Sequence, residues 1–426
     1  MTSLGRRNFL LSTLGLAGSL SFASGHGLSS TGAQNVADAL RPENVRRNPG
    51  PDTLILTWQQ DPTTTITIQW VGPETSQPTN IEYATLETPI WQIARASSTP
   101  FTNTNLKVHR CQITQLKPDT EYQFHLGNPD DRFRFRTMPP TATNSIQFVS
   151  GGDSGVNLHA IRSNILAANQ EPYFALIAGD LAYDNGKSPE VFLQFLRNYH
   201  EHMVDPVGRS IPLIACLGNH EVNGGYNKTR AESPQFLSLF DGFYAERTYG
   251  VFDIGNYLSL VLLDTGHIAP IGGEQTDWLA RTLAERQDRP HLIVANHVPA
   301  YPSYRPPEGV NGGAGTGDEQ RKNWCPLFER YNVDVVLEHH DHTFKRTHPL
   351  INGMKDKQGI VYLGDGSWGK LRIPKQPESR PYLAAVSPAY HVTLHRLEGD
   401  HRFHVALEES GRIADVCATY SKRPAL

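Results

Sequence analysis

Five apolar runs after residue 144 each end in residues that can bind a metal ion. The runs read SIQFVSGGDSG, YFALIAGDLAYD, IPLIACLGNHE, HLIVANHVP and VDVVLEHHDH. Short continuous apolar runs are typical of buried strands, and helical patterns lie between them, so an α/β domain is predicted over residues 145–420. Because ligands carried on strand ends converge at one edge of an open sheet, we expect the five tips to meet in space.

The residue types at these tips suit the hydrolysis of a phosphate ester. That reaction needs an activated water and positive charge near the phosphoryl oxygens, and two metal ions about 3.5–4 Å apart supply both. Such a pair needs a bridging carboxylate, with neutral imidazoles and amide oxygens among its other ligands. A single Asp after a strand is usually a turn or helix-cap residue. The prediction therefore depends on the joint occurrence of all five tips.

The ordered blocks GDSG, GDLAYD, GNHE, ANHVP and EHHDHTFKR resemble the five signature blocks of metallophosphoesterases. The tyrosine in GDLAYD and the β-rich segment before residue 138 narrow the resemblance to purple acid phosphatases. The resemblance implies a binuclear centre of iron(III) and a divalent zinc, manganese or iron ion. The implied ligands are Asp153, Tyr183 and His342 for the iron(III), Asp180 as the bridge, and Asn219, His297 and His340 for the second ion.

The same resemblance implies catalytic roles near the ligands. Asp180, as the bridge, is expected to be essential, and His220 resembles the family residue that contacts the substrate phosphate and protonates the leaving group. A hydrogen-bonded loop histidine is the alternative for His220. The plant enzymes carry further histidines after the fourth block, where this chain reads AYPSYRPPEG, so Tyr304 and Arg305 are also candidates. No serine or cysteine elbow occurs at these strand ends, which favours a metal-bound hydroxide as nucleophile.

His339 and Tyr183 allow a structural interpretation. The family usually reads Gly-His-x-His in the last block, whereas His339 occupies the glycine position here. A side chain there requires a backbone without positive φ, and we interpret His339 as structural or as a neighbour of the ligands. For Tyr183, the alternative is packing against the following helix. If Tyr183 is a phenolate ligand, the resemblance implies a visible charge-transfer band.

Residues 41–138 form short alternating runs such as TLILTWQQ and TTITIQWVG, which predict an all-β sandwich. Tyr122 follows a Leu-Lys-Pro-Asp turn and resembles the tyrosine corner of fibronectin type III domains. Trp58 and Trp70 are predicted to be core residues. The predicted fold is therefore a fibronectin type III-like sandwich followed by a metallophosphoesterase domain, which in the family is a two-sheet sandwich flanked by helices.

Several elements of the second domain are marked by local signals. Ser188 and Pro189 predict the start of a helix, and GEQTDWLARTLAER predicts another. Residues 299–317 are rich in Gly and Pro and are predicted to form a functional loop near the site. The chain closes with an alternating hairpin that turns at Gly399, and the histidines of this hairpin need no metal to explain them.

Residues 1–33 carry the features of an export signal. Arg6 and Arg7 precede an apolar stretch to about Ala23 that is too short to span a bilayer stably. The arginine pair resembles a bacterial twin-arginine signal, which implies export to the periplasm or the cell exterior by that machinery. A short membrane anchor is the alternative, and cleavage after Ala23 or Ala33 is compatible with the sequence.

The predicted function is that of a secreted acid phosphatase acting on small phosphate monoesters. The first alternative is a phosphodiesterase for nucleotides or phospholipid head groups, since pocket width decides between them. The second alternative is a surface-binding protein whose hydrolase domain is inert. A net charge of -4 and the lack of a Lys/Arg run argue against a nucleic-acid partner. The sequence gives no indication of the oligomeric state.

Overall fold

The computed structural model describes residues 50–421, except residues 78 and 310–312. The predicted signal at residues 1–33, including its arginine pair, lies outside the described residues. Within the described ranges, every helix is too short or too polar to cross a membrane. Residues 41–138 and 145–420 remain our proposed domain limits.

The N-terminal part consists of two antiparallel four-stranded sheets that share a core. The first has the order β1-β2-β6-β5 and comprises β1 (Ile55–Thr57), β2 (Ile66–Gly72), β5 (Ser97–Pro100) and β6 (Lys107–Ile113). The second has the order β4-β3-β7-β8 and comprises β3 (Asn80–Thr85), β4 (Gln92–Arg95), β7 (Glu121–His125) and β8 (Phe133–Arg136). Trp58 and Trp70 are buried in the core, as predicted. The Tyr122 hydroxyl accepts a hydrogen bond from the Lys117 N–H at 2.8 Å, which forms the expected corner.

The C-terminal part contains a six-stranded mixed sheet. Its order is β11-β10-β9-β21-β22-β23, with β9, β10 and β11 parallel to one another and the remaining pairs antiparallel. Its strands are β9 (Ile146–Gly151), β10 (Ala175–Ala178), β11 (Leu213–Cys216), β21 (His391–Glu398), β22 (His401–Glu408) and β23 (Ile413–Tyr420). The hairpin between β21 and β22 turns at Gly399, whose φ of 60° suits glycine.

A seven-stranded mixed sheet lies against the six-stranded one. Its order is β12-β13-β14-β15-β19-β16-β20. Its strands are β12 (Gly250–Ile254), β13 (Leu258–Leu263), β14 (His291–Asn296), β15 (Val335–Glu338), β16 (Phe344–Thr347), β19 (Val361–Gly364) and β20 (Leu383–Ser387). Strands β17 (Leu350–Ile351) and β18 (Met354–Lys355) form a separate short hairpin.

Alternate residues of the seven-stranded sheet lie in two different cores. Ile293 and Ala295 of β14 lie in the core shared with the six-stranded sheet, whereas Leu292 and Val294 lie in a second core covered by helices. This arrangement follows from the period of two along a strand, and it explains why the run is apolar throughout. The second part is therefore a two-sheet sandwich with helices outside it.

In the described part of the chain, six α-helices connect and cover these sheets. They are α1 (Leu158–Ala168), α2 (Pro189–His202), α3 (Pro234–Phe240), α4 (Glu274–Arg286), α5 (Asp318–Asn323) and α6 (Cys325–Arg330). Helix α2 begins at the predicted proline, and α4 matches the predicted helix. Leu279 and Leu283 of α4 and Phe328 of α6 pack in the outer core of the seven-stranded sheet.

One expectation about the sheets was wrong. The five strands with metal-binding tips do not share one sheet: β9, β10 and β11 belong to the six-stranded sheet, and β14 and β15 to the seven-stranded sheet. The sequence of a strand that is buried on both faces does not indicate which of the two sheets the strand belongs to. The five tips nevertheless meet, because the carboxyl ends of both parallel sets lie at the same end of the sandwich.

Candidate metal centre

Each of the seven predicted ligands lies in a loop, one to five residues after the end of a strand. Four of them form a buried cluster in which one donor atom from each residue lies within 4.8 Å of the others. The four are Asp153, Asp180, His297 and His340. Tyr183, Asn219 and His342 each lie within hydrogen-bond distance of a member of this cluster. The structure therefore brings all seven side chains together.

Five of the seven residues have a left-handed backbone. The φ angle is 59° at Asp153, 55° at Asp180, 65° at Tyr183, 77° at His340 and 61° at His342. Residues other than glycine rarely adopt this conformation, and it costs roughly 1–3 kcal/mol at each position. Such strain concentrates at functional sites, where the surrounding structure enforces it. Five of the fourteen described residues other than glycine with positive φ are thus predicted ligands.

Three donors form one half of the cluster. The Tyr183 hydroxyl lies 3.2 Å from Asp153 Oδ1 and 3.1 Å from His342 Nε2, and His342 Nε2 lies 3.0 Å from Asp153 Oδ1. Two donor atoms that each lie about 2.1 Å from the same ion, with a right angle between the two bonds, are about 3 Å apart. The three side chains therefore have the spacing of ligands around a common ion.

Three further donors surround His297. Its Nε2 lies 3.2 Å from Asn219 Oδ1, 3.1 Å from His340 Nδ1 and 3.3 Å from Asp180 Oδ1. The other ring nitrogen, Nδ1, lies 3.0 Å from the Ala178 carbonyl, which can only accept a hydrogen bond. Nδ1 therefore carries the proton, and Nε2 of the neutral ring directs a lone pair at its neighbours.

The lone pair of His297 requires a positive partner, because oxygen acceptors surround it. Burial disfavours a charged His297, but the Asp180 and Asp153 carboxylates outweigh burial and raise its pKa to about 9. Burial and the neighbouring His297 hold the pKa of His340 well below its usual value. Without a metal ion, His297 would therefore carry a second proton on Nε2. A bound cation would take the place of that proton and would also satisfy the neutral ring of His340.

Asp180 lies between the two halves. Its Oδ1 accepts a hydrogen bond from the His220 N–H at 2.8 Å and lies 3.3 Å from His297 Nε2. Its Oδ2 is buried and has no hydrogen-bond partner among the described residues. A buried carboxylate oxygen without a partner is costly, and a second cation would satisfy it. The residues present thus fit two metal ions with Asp180 as the bridge.

The sequence analysis did not identify Glu221, the last residue of the block GNHE. Its buried carboxylate accepts hydrogen bonds from the N–H groups of Asp180 and Leu181 at 2.7 Å and from that of Gly218 at 2.8 Å. These bonds join the loop after β10 to the loop after β11. Glu221 therefore holds the bridging residue in place without contacting the donor cluster as a ligand. In the sequence, its position in the block GNHE was the feature that could have indicated this role.

Replacing Glu221 by Gln should destabilise the protein and weaken metal binding. The amide NH2 would face a main-chain N–H in a buried site, and a lost buried hydrogen bond costs about 1–3 kcal/mol. Loss of an outer partner of this kind typically weakens metal affinity about 10- to 100-fold. Thermal unfolding and metal content of the purified protein measure the two effects.

Glu232→Gln is the matched control. Glu232 also accepts a main-chain hydrogen bond, from Thr229 at 2.8 Å, but it lies in an exposed turn. Water can replace that bond, so the control should keep its metal and unfold close to the wild-type temperature. Equal losses in both variants would contradict a specific role for Glu221.

His220 lies at the rim of the cluster. Its Nε2 is 3.9 Å from Asp180 Oδ2, its ring centroid is 4.2 Å from that of Tyr183, and its side chain is 33% exposed. The amide oxygen of Asn185 hydrogen-bonds to Nδ1, which fixes Nδ1 as the protonated nitrogen. The remaining nitrogen, Nε2, is therefore the one on the side of the metal ligands. Sequence analysis did not identify Asn185.

Tyr304 and Arg305 are anchored to the loop of the last block. The Tyr304 N–H donates to Asp341 Oδ2 at 2.7 Å, and the Arg305 guanidinium pairs with Asp341 Oδ1 at 2.7 Å. Arg305 also donates to the main-chain oxygen of His340. Residues 299–309 thus pass beside the site, as the composition of this loop suggested. Arg305, however, is already engaged by a buried carboxylate.

His339 is accommodated at the glycine position of the last block. It is not among the described residues with positive φ. The ring is buried against Gly152, and Nδ1 lies 3.0 Å from the Asn296 carbonyl. Burial lowers the pKa of His339 to about 3, so the ring is neutral. The side chain therefore packs beneath the ligand loops, which agrees with a structural role.

Comparison with known proteins matches two family profiles to the chain. Residues 51–137 match the N-terminal domain of purple acid phosphatases, and residues 141–344 match the calcineurin-like phosphoesterases. Purple acid phosphatase 21 of Arabidopsis thaliana is 27% identical over 287 residues, which are 64% of this chain and 62% of that protein. The alignment thus spans less than two thirds of that relative.

Two other similarities extend over more of the chain. Acid phosphatase type 7 of Homo sapiens is 26% identical over 95% of this chain and 93% of its own length. The solved structure of a purple acid phosphatase from yellow lupin (Lupinus luteus) seeds superposes with a TM-score of 0.71 at 17% identity. That superposition covers 86% of this chain and 73% of the lupin chain, and it shows that the fold is shared.

The two profiles, their order along the chain and the named relatives agree with one another and with the buried Asp/His cluster. The chain belongs to the purple acid phosphatases, a family of calcineurin-like, metal-dependent phosphoester hydrolases with a binuclear metal centre.

Proposed function

We propose that this protein is an exported acid phosphatase that hydrolyses phosphate monoesters at a binuclear metal centre. The observation that carries the proposal is the pair of donor sets joined by Asp180, whose Oδ2 is buried without a hydrogen-bond partner among the described residues. The relatives named acid phosphatase support the same activity. The intact donor sets argue against a surface-binding protein with an inert hydrolase domain.

We assign iron(III) to the set of Asp153, Tyr183 and His342. A phenolate is a hard, anionic donor that favours a trivalent ion. Burial, followed by the carboxylates of Asp153 and Asp180, raises the pKa of the Tyr183 phenol well above its usual value. The phenolate form therefore needs a strongly charged cation beside it. The set of Asn219, His297 and His340 would hold a divalent zinc, manganese or iron ion.

When bound, the two ions would supply an activated water and positive charge for the phosphoryl oxygens. The residues of the chain have separate tasks around that chemistry. Asp180 would bind both ions and so link the two donor sets, and Glu221 fixes the main chain of Asp180. His220 directs Nε2 toward the site, with Asn185 fixing its orientation. Burial lowers the pKa of His220, so only the doubly protonated ring, formed at acidic pH, can donate the Nε2 proton to the leaving oxygen.

Hydrolysis of two chromogenic esters tests the proposed substrate class. We expect the metal-loaded protein to hydrolyse p-nitrophenyl phosphate faster than bis(p-nitrophenyl) phosphate. The two substrates share a leaving group, so the difference reports the phosphoryl group alone. A preference for the diester would favour the alternative function on nucleotides or phospholipid head groups. Absence of hydrolysis by protein with two bound metals would contradict the proposal.

Export depends on the arginine pair if the N-terminal segment is a twin-arginine signal. Replacing both Arg6 and Arg7 by Lys should retain the protein in the cytoplasm, because that machinery reads the pair and not only its charge. The same exchange at Arg46 and Arg47, a second pair outside the signal, is the control. Fractionation of bacterial cells measures both. Normal export of the variant with both signal arginines replaced would indicate a general secretory route.

A further inference from the structure

A short segment after β19 crosses two of the ligand loops; we call Trp368–Arg372 the site strap. The Trp368 N–H donates to the Gly152 carbonyl at 3.2 Å, and the Gly369 N–H donates to the Asp153 carbonyl at 3.0 Å. Two residues past Lys370, the Arg372 N–H donates to the His342 carbonyl at 2.7 Å. Lys370 therefore lies between the loops that carry two of the proposed iron ligands.

The strap is also fixed from the protein interior. The indole of Trp368 is fully buried, and its Nε1 donates to Asn164 at 2.8 Å. The Trp368 carbonyl accepts from Ser163 at 2.7 Å, and the Gly369 carbonyl accepts from Asn157 at 2.7 Å. These bonds attach the strap to helix α1 and its N-cap. The main chain of Lys370 thus has a defined position.

The Lys370 side chain extends over the proposed iron-binding half of the cluster. Its Nζ lies 4.2 Å from the ring centroid of Tyr183, whose hydroxyl belongs to that half. Gly155 leaves the room for it, because a Cβ at Gly155 would lie 3.3 Å from Lys370 Cε. The ammonium therefore lies over the ring whose hydroxyl group belongs to the donor set.

Two other cations near the site, unlike Lys370, have acidic partners. Arg305 pairs with Asp341, and the buried Lys345 pairs with Glu338. Among the described residues, no carboxylate oxygen lies within 4.0 Å of Lys370 Nζ. A half-buried cation without an acidic partner at a site for anions raises the local positive potential. Its charge remains available to a ligand.

We propose that Lys370 binds a terminal oxygen of the substrate phosphoryl group and thereby selects monoesters over diesters. This proposal rests on the phosphatase function proposed above. A monoester has three terminal oxygens, so one can bind the ammonium while the others face the metal-binding residues. A diester carries a substituent on one of those three oxygens. Its fit beside the rigid strap is therefore poorer and its charge smaller.

The test compares Lys370→Gln with Lys375→Gln in the metal-loaded protein. Lys375 lies five residues further along, and its side chain is exposed, so the control removes the same charge from the same stretch of chain. In Lys370→Gln, we expect the inhibition constant of inorganic phosphate to rise about 10- to 100-fold, the effect of one charge-assisted hydrogen bond. The value of kcat/KM should fall by a similar factor for p-nitrophenyl phosphate and less than about threefold for the diester.

The remaining outcomes separate the possibilities. Lys370→Arg should recover part of the phosphate affinity, and metal content and unfolding temperature should be unchanged in every variant. Equal effects of Lys370→Gln and Lys375→Gln, equal losses for monoester and diester, or a loss of metal in Lys370→Gln would each overturn the proposal. If the wild-type protein hydrolyses neither ester, the proposed function fails, but calorimetric titration with inorganic phosphate still tests the role of Lys370.

Discussion

Asp180→Ala is expected to abolish phosphoester hydrolysis and to leave less bound metal than Asn219→Ala. The Asp180 carboxylate lies between the two donor sets, with Oδ1 near His297 and Oδ2 buried without a hydrogen-bond partner among the described residues. In the proposed bridging role, its loss removes an anionic ligand from both ions. Asn219 contributes a single neutral oxygen on the His297 side.

The expected loss of activity exceeds about 10³-fold, the upper end for removal of one electrostatic group from an active site. Elemental analysis of the purified variants, with kcat measured at saturating metal, tests both parts. Asn219→Ala serves as the control because it shortens a ligand in the same cluster without touching the bridge. Equal metal occupancy in the two variants would contradict the bridging assignment, whatever the activities are.

The convergence of the seven proposed ligands was predictable because each belongs to a short block after an apolar strand. Seven side chains from five separate blocks were expected to meet, and in the structure each of them lies within hydrogen-bond distance of at least one other. The positive φ angles at Asp153 and His340 could not have been predicted from residue type. Left-handed backbone at Asp or His is uncommon and is imposed by the surrounding fold.

Other features depend on contacts between distant segments, which the local pattern does not encode. The division of the five strands between two sheets is one such feature, since all of them are apolar on both faces. The site strap is another, because GDGSWGK belongs to none of the five signature blocks. Its importance follows from main-chain bonds to Gly152, Asp153 and His342, which are far away in sequence.

Only some of the 18 histidines lie near the candidate metal centre. Others lie in the terminal hairpin, where the Nδ1 atoms of His395 and His404 are 2.8 Å apart. The Ser150 hydroxyl contacts His395 Nε2 at 2.7 Å, and burial lowers the pKa of His395 to about 3. These rings are neutral members of a core network, so composition alone overstates the number of ligands.

Tyr183→Phe should remove the visible absorption of the iron-loaded protein while leaving its fold intact. The phenol oxygen lies 3.2 Å from Asp153 Oδ1 and 3.1 Å from His342 Nε2, where an ion shared by the three would receive it as a ligand. A phenyl ring fills nearly the same volume and keeps the contacts with His220 and Lys370. Only the donor atom of the charge-transfer transition is lost.

The variant also distinguishes the contribution of the phenolate from that of the other ligands. Asp153, Asp180 and His342 remain to hold the ion, so activity should fall only in part, while the iron becomes easier to reduce or exchange without its anionic donor. Tyr226→Phe is the matched control, because the Tyr226 hydroxyl lies 3.3 Å from His340 Nε2, on the opposite side of that ring from the cluster. The control should keep its colour.

Visible spectra and iron content of the wild type and both variants, together with thermal unfolding, give the result. A colourless wild-type protein with zinc or manganese in both positions would contradict the iron assignment but not the binuclear centre. A coloured Tyr183→Phe variant would contradict the phenolate assignment itself, because another tyrosine would have to supply the ligand. Among the described residues, Tyr226 is the tyrosine in hydrogen-bond contact with a different ligand, so loss of colour in Tyr226→Phe instead would move the iron to the His340 side.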